Sequence, residues 1–335
     1  MTGGPRRWVL ASRPGKDLKA SDFDLQSFTP ADLAEGEVRV RIEHHTVAPG
    51  VRAKLMAATY AARIELGDTI PGNAVGVVEA SRHPQFAPGD RVSGFLGWAS
   101  VAVMPGGELD KLDAELFEGG VPLATGVGLL GMSGLTAYFG LLKIGRLKAG
   151  ETVLVSSAAG AVGSVVGQIA RIHDCDVLGL AGDDDKCADI VAESGYDAAI
   201  NYKTHSDLGG AIKAARPDGV DVFFDNVGGE TLLAGFDNLR AFGRVVVCGA
   251  MSVYDGAPVP MMPALKPSLR QTVQAFICPD FIAEFPAARR QISQWIREGK
   301  LKHRPTVVQG IERAAEAFVG QFNGQTGPRP IVSVD

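Results

Sequence analysis

The sequence predicts an α/β protein in which a β-rich region precedes a doubly wound parallel sheet. Apolar and polar residues alternate over 37–47, which is the period of a half-buried strand, and 73–79 and 90–93 are predicted as further short strands separated by Pro and Gly turns. After about residue 126, short apolar strands alternate with longer amphipathic segments. That rhythm is typical of βαβ units around a parallel sheet.

The sequence after about residue 126 predicts a series of strands and helices. Strands are expected at 152–157, 176–181, 220–225 and 244–248, and helices at 161–173, 184–194, 207–215 and 229–240. We expect about six strands in this sheet. A helix is also predicted over 286–298, and the tail from 301 to 334 returns to strand, helix and strand. We therefore predict one domain of residues 1–125 with 300–335 and a second of 126–299.

Bulk composition limits the function classes. A chain of 335 residues favours two domains, and 46% hydrophobic with 21% charged residues is ordinary for a globular protein. The 33 Lys and Arg against 38 Asp and Glu include no basic run, so nucleic acid is not an expected partner. The four cysteines lack CxxC spacing, and the first residues lack the apolar core of a secretory signal. A cytoplasmic location is expected.

Residues 119–142 carry no charge and are long enough to span a bilayer. Seven glycines and Pro122 make this segment weakly hydrophobic, which suits a buried junction better. We expect no membrane association.

A glycine-containing turn indicates a dinucleotide site. The run Ser156–Gly163 follows a predicted strand and opens a predicted helix, as in the dinucleotide fingerprint, with Ala158 in place of the first glycine. Gly160 lets the backbone approach a pyrophosphate, and Gly163 lets the helix pack closely on the sheet. The predicted contacts are Ala158, Gly160, Ala161, Val162 and Gly163. Small residues at such a turn also occur without any ligand.

The end of the second strand favours NADPH. NAD-binding versions place an acidic residue there for the adenosine ribose, whereas this chain has Ala181 and Gly182. Lys186 lies one turn further on, where it could pair with a 2′-phosphate or simply be solvated. The intervening run 183–185 is three aspartates, which we interpret mainly as helix-capping residues.

Several runs together resemble one family. They are Gly131–Gly140, Ala158–Gln168, Asn201–Lys203, Phe224–Gly229 and Cys248–Tyr254. The chain resembles, over most of its length, the zinc-independent medium-chain dehydrogenases/reductases of the prostaglandin reductase, leukotriene hydroxydehydrogenase and alkenal double-bond reductase branch. The resemblance implies a GroES-like β-rich barrel domain, a Rossmann domain and NADPH as the cofactor.

The resemblance also implies roles for individual residues. Lys186 and Tyr202 would hold the 2′-phosphate, Asn226 with Cys248, Gly249 and Ala250 would line the nicotinamide, and Met132 and Thr136 would lie near the cofactor. Tyr254 would stabilise or protonate an enolate, a role that suits a neutral phenol. Each has an alternative: Tyr202 as a surface aromatic, Asn226 as a turn residue, and Tyr254 as a loop aromatic packed over the cofactor.

Three departures from the family pattern bear on the site. Gly50 stands where relatives have a tyrosine, so the substrate pocket is expected to be wider. Near the end, relatives carry an Asn-x-Gly-Lys run where this chain has residues 325–330, which contain no asparagine to make the relatives' cofactor contact, and Arg329 is expected to replace the lysine. The proline-rich run 252–267 differs in detail and leaves substrate choice open.

No metal site is expected. The first half of the chain contains no cysteine, and the position of a zinc-binding Gly-His-Glu run reads Gly72-Asn73-Ala74. His44 and His45 are adjacent on a predicted strand, so they point to opposite faces and cannot share one metal ion.

The sequence therefore predicts NADPH-dependent reduction of the carbon–carbon double bond of α,β-unsaturated aldehydes or ketones. A quinone reductase or a zinc-independent alcohol dehydrogenase on the same scaffold is an alternative. A cofactor-binding sensor or scaffold with little turnover is a third possibility. A homodimer joined through the Rossmann sheet is expected from the habit of the family and the prevalence of two-fold symmetry.

Overall fold

The computed structural model describes residues 4–15, 17–56, 63–253, 267–323, 325–326 and 330–335. The chain divides into two compact units, residues 1–131 with 303–335 and residues 132–302. Each unit has its own sheet and its own core.

Unit 1 begins with seven strands and one short helix. In chain order these are β1 (Arg6–Leu10), β2 (Phe23–Ser27), β3 (Glu37–Thr46), α1 (Val51–Met56), β4 (Ala74–Ser81), β5 (Arg91–Gly94), β6 (Val101–Pro105) and β7 (Leu109–Lys111).

Unit 2 alternates strands with helices. Its elements are α2 (Met132–Phe139), β8 (Thr152–Ser156), α3 (Gly163–Ile172), β9 (Asp176–Ala181), α4 (Asp184–Glu193), β10 (Ala198–Asn201), α5 (Leu208–Ala215), β11 (Val220–Asp225), α6 (Gly229–Asp237), β12 (Leu239–Val247), β13 (Thr272–Ala275) and α7 (Phe285–Arg297). The final segment returns to unit 1 with β14 (Thr306–Gln309), α8 (Ala314–Asn323) and β15 (Pro330–Ser333).

The sheet of unit 2 has six parallel strands in the order β10-β9-β8-β11-β12-β13. Numbered within the unit, this is the order 3-2-1-4-5-6 of the doubly wound dinucleotide-binding fold. The α/β fold class with a Rossmann domain is confirmed. The strand order reverses between β8 and β11, and ligands of such sheets bind at the carboxyl ends of the strands there.

The sheet of unit 1 has seven strands. Its main order is β14-β15-β3-β4-β5-β7, and β6 also pairs with β3, while β1 and β2 form a separate antiparallel pair. The core packs Trp98 against Phe318 of α8 with ring centroids 5.2 Å apart, and against Phe23 at 5.8 Å. The last helix is thus part of the unit 1 core.

The two histidines of β3 differ in their surroundings. The pairing of β3 with β4 shifts between Ile42 and His44, and after this bulge His45 is fully buried while His44 is half-buried. The His45 ring stacks on Trp98 with centroids 6.0 Å apart, and burial lowers its pKa to about 4. We interpret His45 as a neutral core residue.

The passage between the units lies later than the predicted boundaries of 125/126 and 299/300. The turn 123–127 contacts β3 and β4, and Gly126 lies directly against Val75 of unit 1. At the return, the backbone N–H of Lys302 donates to Gln168 Oε1 over 2.7 Å within unit 2. These contacts place residues 126–131 with unit 1 and residues 300–302 with unit 2.

The uncharged segment 119–142 forms short turns, α2 and the start of a π-helical turn at Gly140–Ile144. Among the helices of the described ranges, none is long and apolar enough to cross a membrane.

One predicted helix is shorter than its sequence pattern. The helix expected over 229–240 ends at Asp237, because the Asn238 amide donates to the Ala234 carbonyl over 2.8 Å and caps the last turn. β12 then begins at Leu239 instead of 244. Its first half is irregular, with Phe242 at a φ of 65°, so the sequence there lacks the regular pattern that would predict a strand.

Candidate functional site

The turn between β8 and α3 has the geometry of a phosphate-binding loop. Ser157 ends the strand by adopting a left-handed φ of 50°, and the Gly160 N–H donates to the Ser157 carbonyl over 2.9 Å. A Cβ on Gly163 would lie 2.8 Å from Ala158 Cα, so only glycine fits there. The amino end of α3, with Ala161 and Val162 before it, presents N–H groups that suit a pyrophosphate.

Ala158 occupies the place of the first fingerprint glycine and is fully buried. Its methyl group lies where a Cβ on Gly179 of the adjacent strand β9 would come within 3.0 Å. The glycine of β9 therefore provides the space that the turn itself does not.

The end of β9 brings charged groups together. Asp183 caps α4: its Oδ1 accepts from the Lys186 N–H over 2.8 Å, and its Oδ2 forms an ion pair with Lys186 Nζ at 2.8 Å. These bonds hold the pKa of Asp183 below its usual range. Asp184 accepts from the Asn201 amide over 2.8 Å. The capping interpretation thus fits Asp183, which in addition pairs with the predicted phosphate-binding lysine.

Tyr202 and Lys203 approach the same strand end from the turn after β10. A Cβ on Gly182 would lie 3.1 Å from the Tyr202 hydroxyl and 3.4 Å from Lys203 Cε. Lys203 also contributes to the low pKa of Asp183. Lys186, Tyr202 and Lys203 thus all lie near the end of β9, and the contacts of Lys186 and Tyr202 with a 2′-phosphate stay predictions. Sequence reasoning missed Lys203, although it ends the Asn201–Lys203 run.

A buried carboxylate organises the carboxyl ends of β8 and β11. Asp225 is fully buried; it accepts from the Ser156 hydroxyl over 2.6 Å, from the Val227 N–H over 3.1 Å and from the Gly228 N–H over 2.9 Å. Burial raises the pKa of this carboxyl group. The three donors offset part of the lost hydration of the carboxyl group, and the raised pKa shows that burial outweighs them.

Asn226 is bound to the neighbouring strand. Its amide nitrogen donates to the Ser156 carbonyl over 2.7 Å, and its backbone N–H donates to the Ser156 hydroxyl over 2.8 Å. Asn226 is thus a turn residue in this structure. Its contact with a nicotinamide stays a prediction.

The turn after β12 lies beside the turn after β11. The N–H groups of Cys248 and Gly249 donate to the Asp225 carbonyl over 2.8 and 3.2 Å, and a Cβ on Gly249 would lie 3.0 Å from the Asn226 carbonyl oxygen. Ala250 follows in the same turn. Burial, and then the nearby Asp225, raise the pKa of Cys248 to about 12, so its thiol stays protonated at neutral pH.

Of the remaining predicted residues, the structure describes two and leaves two outside the described ranges. Met132 begins α2 and is 38% exposed. Thr136 of the same helix lies close enough to the Cys278 thiol to counter part of the rise that burial causes in the pKa of Cys278. The catalytic candidate Tyr254 and the cofactor candidate Arg329 lie outside the described residues. Their roles stay predictions.

Family models match both parts of the chain. One described as the N-terminal domain of oxidoreductase matches residues 6–112, and one described as zinc-binding dehydrogenase matches residues 161–294. Within the described ranges, no group of three or more His, Cys, Asp or Glu side chains could hold a metal ion.

Relatives extend over nearly the whole chain. Prostaglandin reductase 1 of Bos taurus is 39% identical over 317 residues, which cover 93% of this chain and 94% of the relative. The NADPH-dependent curcumin reductase of Escherichia coli is 33% identical over 340 residues, covering 98% and 96%. The chain belongs to the zinc-independent medium-chain dehydrogenases/reductases, in their prostaglandin reductase branch.

A solved structure of this branch has the same fold. CurA from Vibrio vulnificus, determined in complex with NADPH, is 32% identical and superposes with a TM-score of 0.85 over 98% of this chain and 99% of that one. The family assignment and this superposition agree with the strand order of unit 2.

The position of Lys186 allows a test of whether this residue recognises the 2′-phosphate of NADPH. Changing Lys186→Ala should raise the Michaelis constant for NADPH by about tenfold and leave that for NADH nearly unchanged, because a partly exposed charged hydrogen bond contributes about 1.5 kcal/mol or more. Steady-state kinetics with both cofactors measure this. Lys213→Ala, an exposed lysine of α5 in the same unit, is the control. If Lys186→Ala changed the Michaelis constants for NADPH and NADH equally, Lys186 would not be a ligand of the 2′-phosphate.

Proposed function

We propose that this protein is an NADPH-dependent reductase of the carbon–carbon double bond in α,β-unsaturated aldehydes and ketones. The observation that carries the cofactor part of the proposal is the position of Lys186, Tyr202 and Lys203 near the end of β9, which ends in Ala181 and not in an acidic residue, on a sheet of dinucleotide-binding order. The names of the relatives support the class of substrate.

The residues present fit NADPH. The turn around Gly160 and Gly163 keeps its backbone open to a pyrophosphate, since side chains at these two positions would meet backbone atoms at 3.0 Å or less. At the adenosine end, Ala181 offers no carboxylate to repel a 2′-phosphate, and two lysines with a phenol offer donors. The nicotinamide end would lie toward the Asn226 and Cys248 turns, at the reversal of strand order.

When bound, NADPH would supply the hydride that the proposed reaction adds to the β-carbon of the substrate. The electrons of the double bond would move to the α-carbon and the carbonyl oxygen, and a proton from solvent would add at the α-carbon. The chain must therefore stabilise an enolate oxygen. Tyr254 follows the turn at Cys248–Ala250 in the sequence and is the proposed donor, because a neutral phenol can hydrogen-bond to developing oxyanion charge.

The relatives favour this substrate class over the alternatives. One relative is named for prostaglandins and another for curcumin. Curcumin carries carbon–carbon double bonds conjugated to carbonyl groups, which is the arrangement that a hydride donor reduces at the β-carbon. The quinone reductase and alcohol dehydrogenase alternatives would use the same cofactor. Measuring turnover with different substrates distinguishes them from the proposed reaction.

We further propose that two copies of the chain pair through unit 2. β13 is the last strand of the described sheet, and two exposed apolar residues follow it, with Ile277 65% and Ile282 61% exposed. A second β13 could pair along this edge and cover both side chains. We also propose a cytoplasmic location, in agreement with four free cysteines.

Substrate panels test the proposed reaction. We expect NADPH oxidation, followed by its absorbance, to be fastest with conjugated enals and enones, and the product to be the saturated carbonyl compound. Turnover with quinones alone would establish the quinone reductase alternative. Tight NADPH binding without turnover on any of these substrates would establish the sensor alternative.

Removing the proposed enolate donor tests Tyr254. Tyr254→Phe should lower turnover by about a hundredfold or less, because one oxyanion donor contributes ~10²–10³ in rate and water can partly replace it. The dissociation constant for NADPH should barely change, because the proposal gives the Tyr254 hydroxyl no contact with the cofactor. Unaltered turnover on a good enone, under conditions where chemistry limits the rate, would remove Tyr254 from the mechanism.

A charge at the sheet edge tests the proposed dimer. Ile277→Lys should shift the mass measured by light scattering at micromolar concentration from about twice 35.1 kDa toward 35.1 kDa, because pairing would bury the added ammonium group. Leu66→Lys is a matched control, since Leu66 is 59% exposed in unit 1. A monomeric unmodified protein, or equal dissociation of both variants, contradicts pairing through β13.

A further inference from the structure

Asp183 engages the predicted phosphate-binding lysine with both of its oxygens. Oδ1 accepts from the Lys186 backbone and Oδ2 pairs with Lys186 Nζ, each over 2.8 Å. A helix cap requires only the first of these bonds. The second places a carboxylate at the ammonium group that a 2′-phosphate would use.

The three neighbouring aspartates are not equivalent. Asp184 is bonded to the Asn201 amide, and Asp185 is exposed in the first turn of α4. Of these three residues, all of which the structure describes, only Asp183 forms an ion pair with Lys186. Both Lys186 and Lys203 act on its pKa, so its carboxylate lies within the field of both lysines.

We propose that Asp183 is a specificity-determining residue that competes with the 2′-phosphate of NADPH for Lys186. Binding of NADPH must separate the ion pair or place the phosphate beside a carboxylate. NADH carries a hydroxyl group at the same position, which leaves the pair intact and can donate to a carboxylate. Asp183 therefore reduces the preference for NADPH that Lys186, Tyr202 and Lys203 create.

This inference rests on the proposed cofactor and not on the proposed substrate. It concerns only the adenosine end, so it can be tested with fragments that lack nicotinamide. The suitable pair is 2′,5′-ADP and 5′-AMP, which differ only in the 2′-phosphate. Their dissociation constants can be measured by calorimetric titration of the full-length protein, without any turnover.

The central variant is Asp183→Asn, which removes the charge and keeps an oxygen that can cap α4. We expect 2′,5′-ADP to bind about three- to tenfold more tightly to this variant at low ionic strength, and 5′-AMP to change less than about twofold. The gain should shrink at high salt, because the charges at this end are partly exposed.

Two further variants separate competition from other effects. Asp185→Asn makes the same change of charge two residues further along and controls for the general field of the acidic run. Asp183→Ser keeps a capping hydroxyl, so it reproduces the result if the Asn variant folds poorly, and thermal unfolding reports the helix cap itself.

The dissociation constants of the three variants decide whether Asp183 competes with the 2′-phosphate. Tighter binding of 2′,5′-ADP to both Asp183 variants, larger than in Asp185→Asn, supports competition. An equal gain in Asp185→Asn, an equal change for both nucleotides, no change, or weaker binding of 2′,5′-ADP overturns it. If neither nucleotide binds the unmodified protein, the adenosine site is wrong. A failure of enone turnover with intact nucleotide binding would instead count against the proposed reaction alone.

Discussion

The hydrogen bond between Ser156 and Asp225 joins the two strands on which the dinucleotide site depends. β8 and β11 are neighbours at the point where the strand order reverses, and this bond links their carboxyl ends. The same carboxylate then holds the Val227 and Gly228 N–H groups, while the Asp225 carbonyl accepts from the turn after β12. One buried residue thus connects the loops that follow three central strands. Each of these bonds offsets part of the free energy that burying the Asp225 carboxyl group costs.

Much of this arrangement follows from local sequence patterns. The central strands β8, β9 and β11 of unit 2 are short apolar runs that the structure buries on both faces, and such runs stand out between amphipathic helices. The turn around Gly160 could be predicted because its glycines have a steric reason to be there. The assignment of 2′-phosphate recognition to the end of β9 follows from the absence of an acid at Ala181.

Other features depend on contacts that a linear pattern does not contain. The orientation of Lys203 depends on β10 lying beside β9, and the ion pair of Asp183 depends on the rotamers of two exposed side chains. The early start of β12 was hidden because its first half is irregular around Phe242. The limits of the two units depend on which sheet each linker packs against, as with Gly126 and Val75.

The close packing of the turn against β9 limits which substitutions the two positions can accept. A side chain added at Gly179 would meet the Ala158 methyl group at 3.0 Å, and it would meet Ile190 and Tyr196 at 2.6 and 2.8 Å. Replacing Ala158 by glycine would therefore not make room for a side chain on β9. Gly179 is held in place by the residues packed over the strand as well as by the turn, so it tolerates less change than Ala158 does.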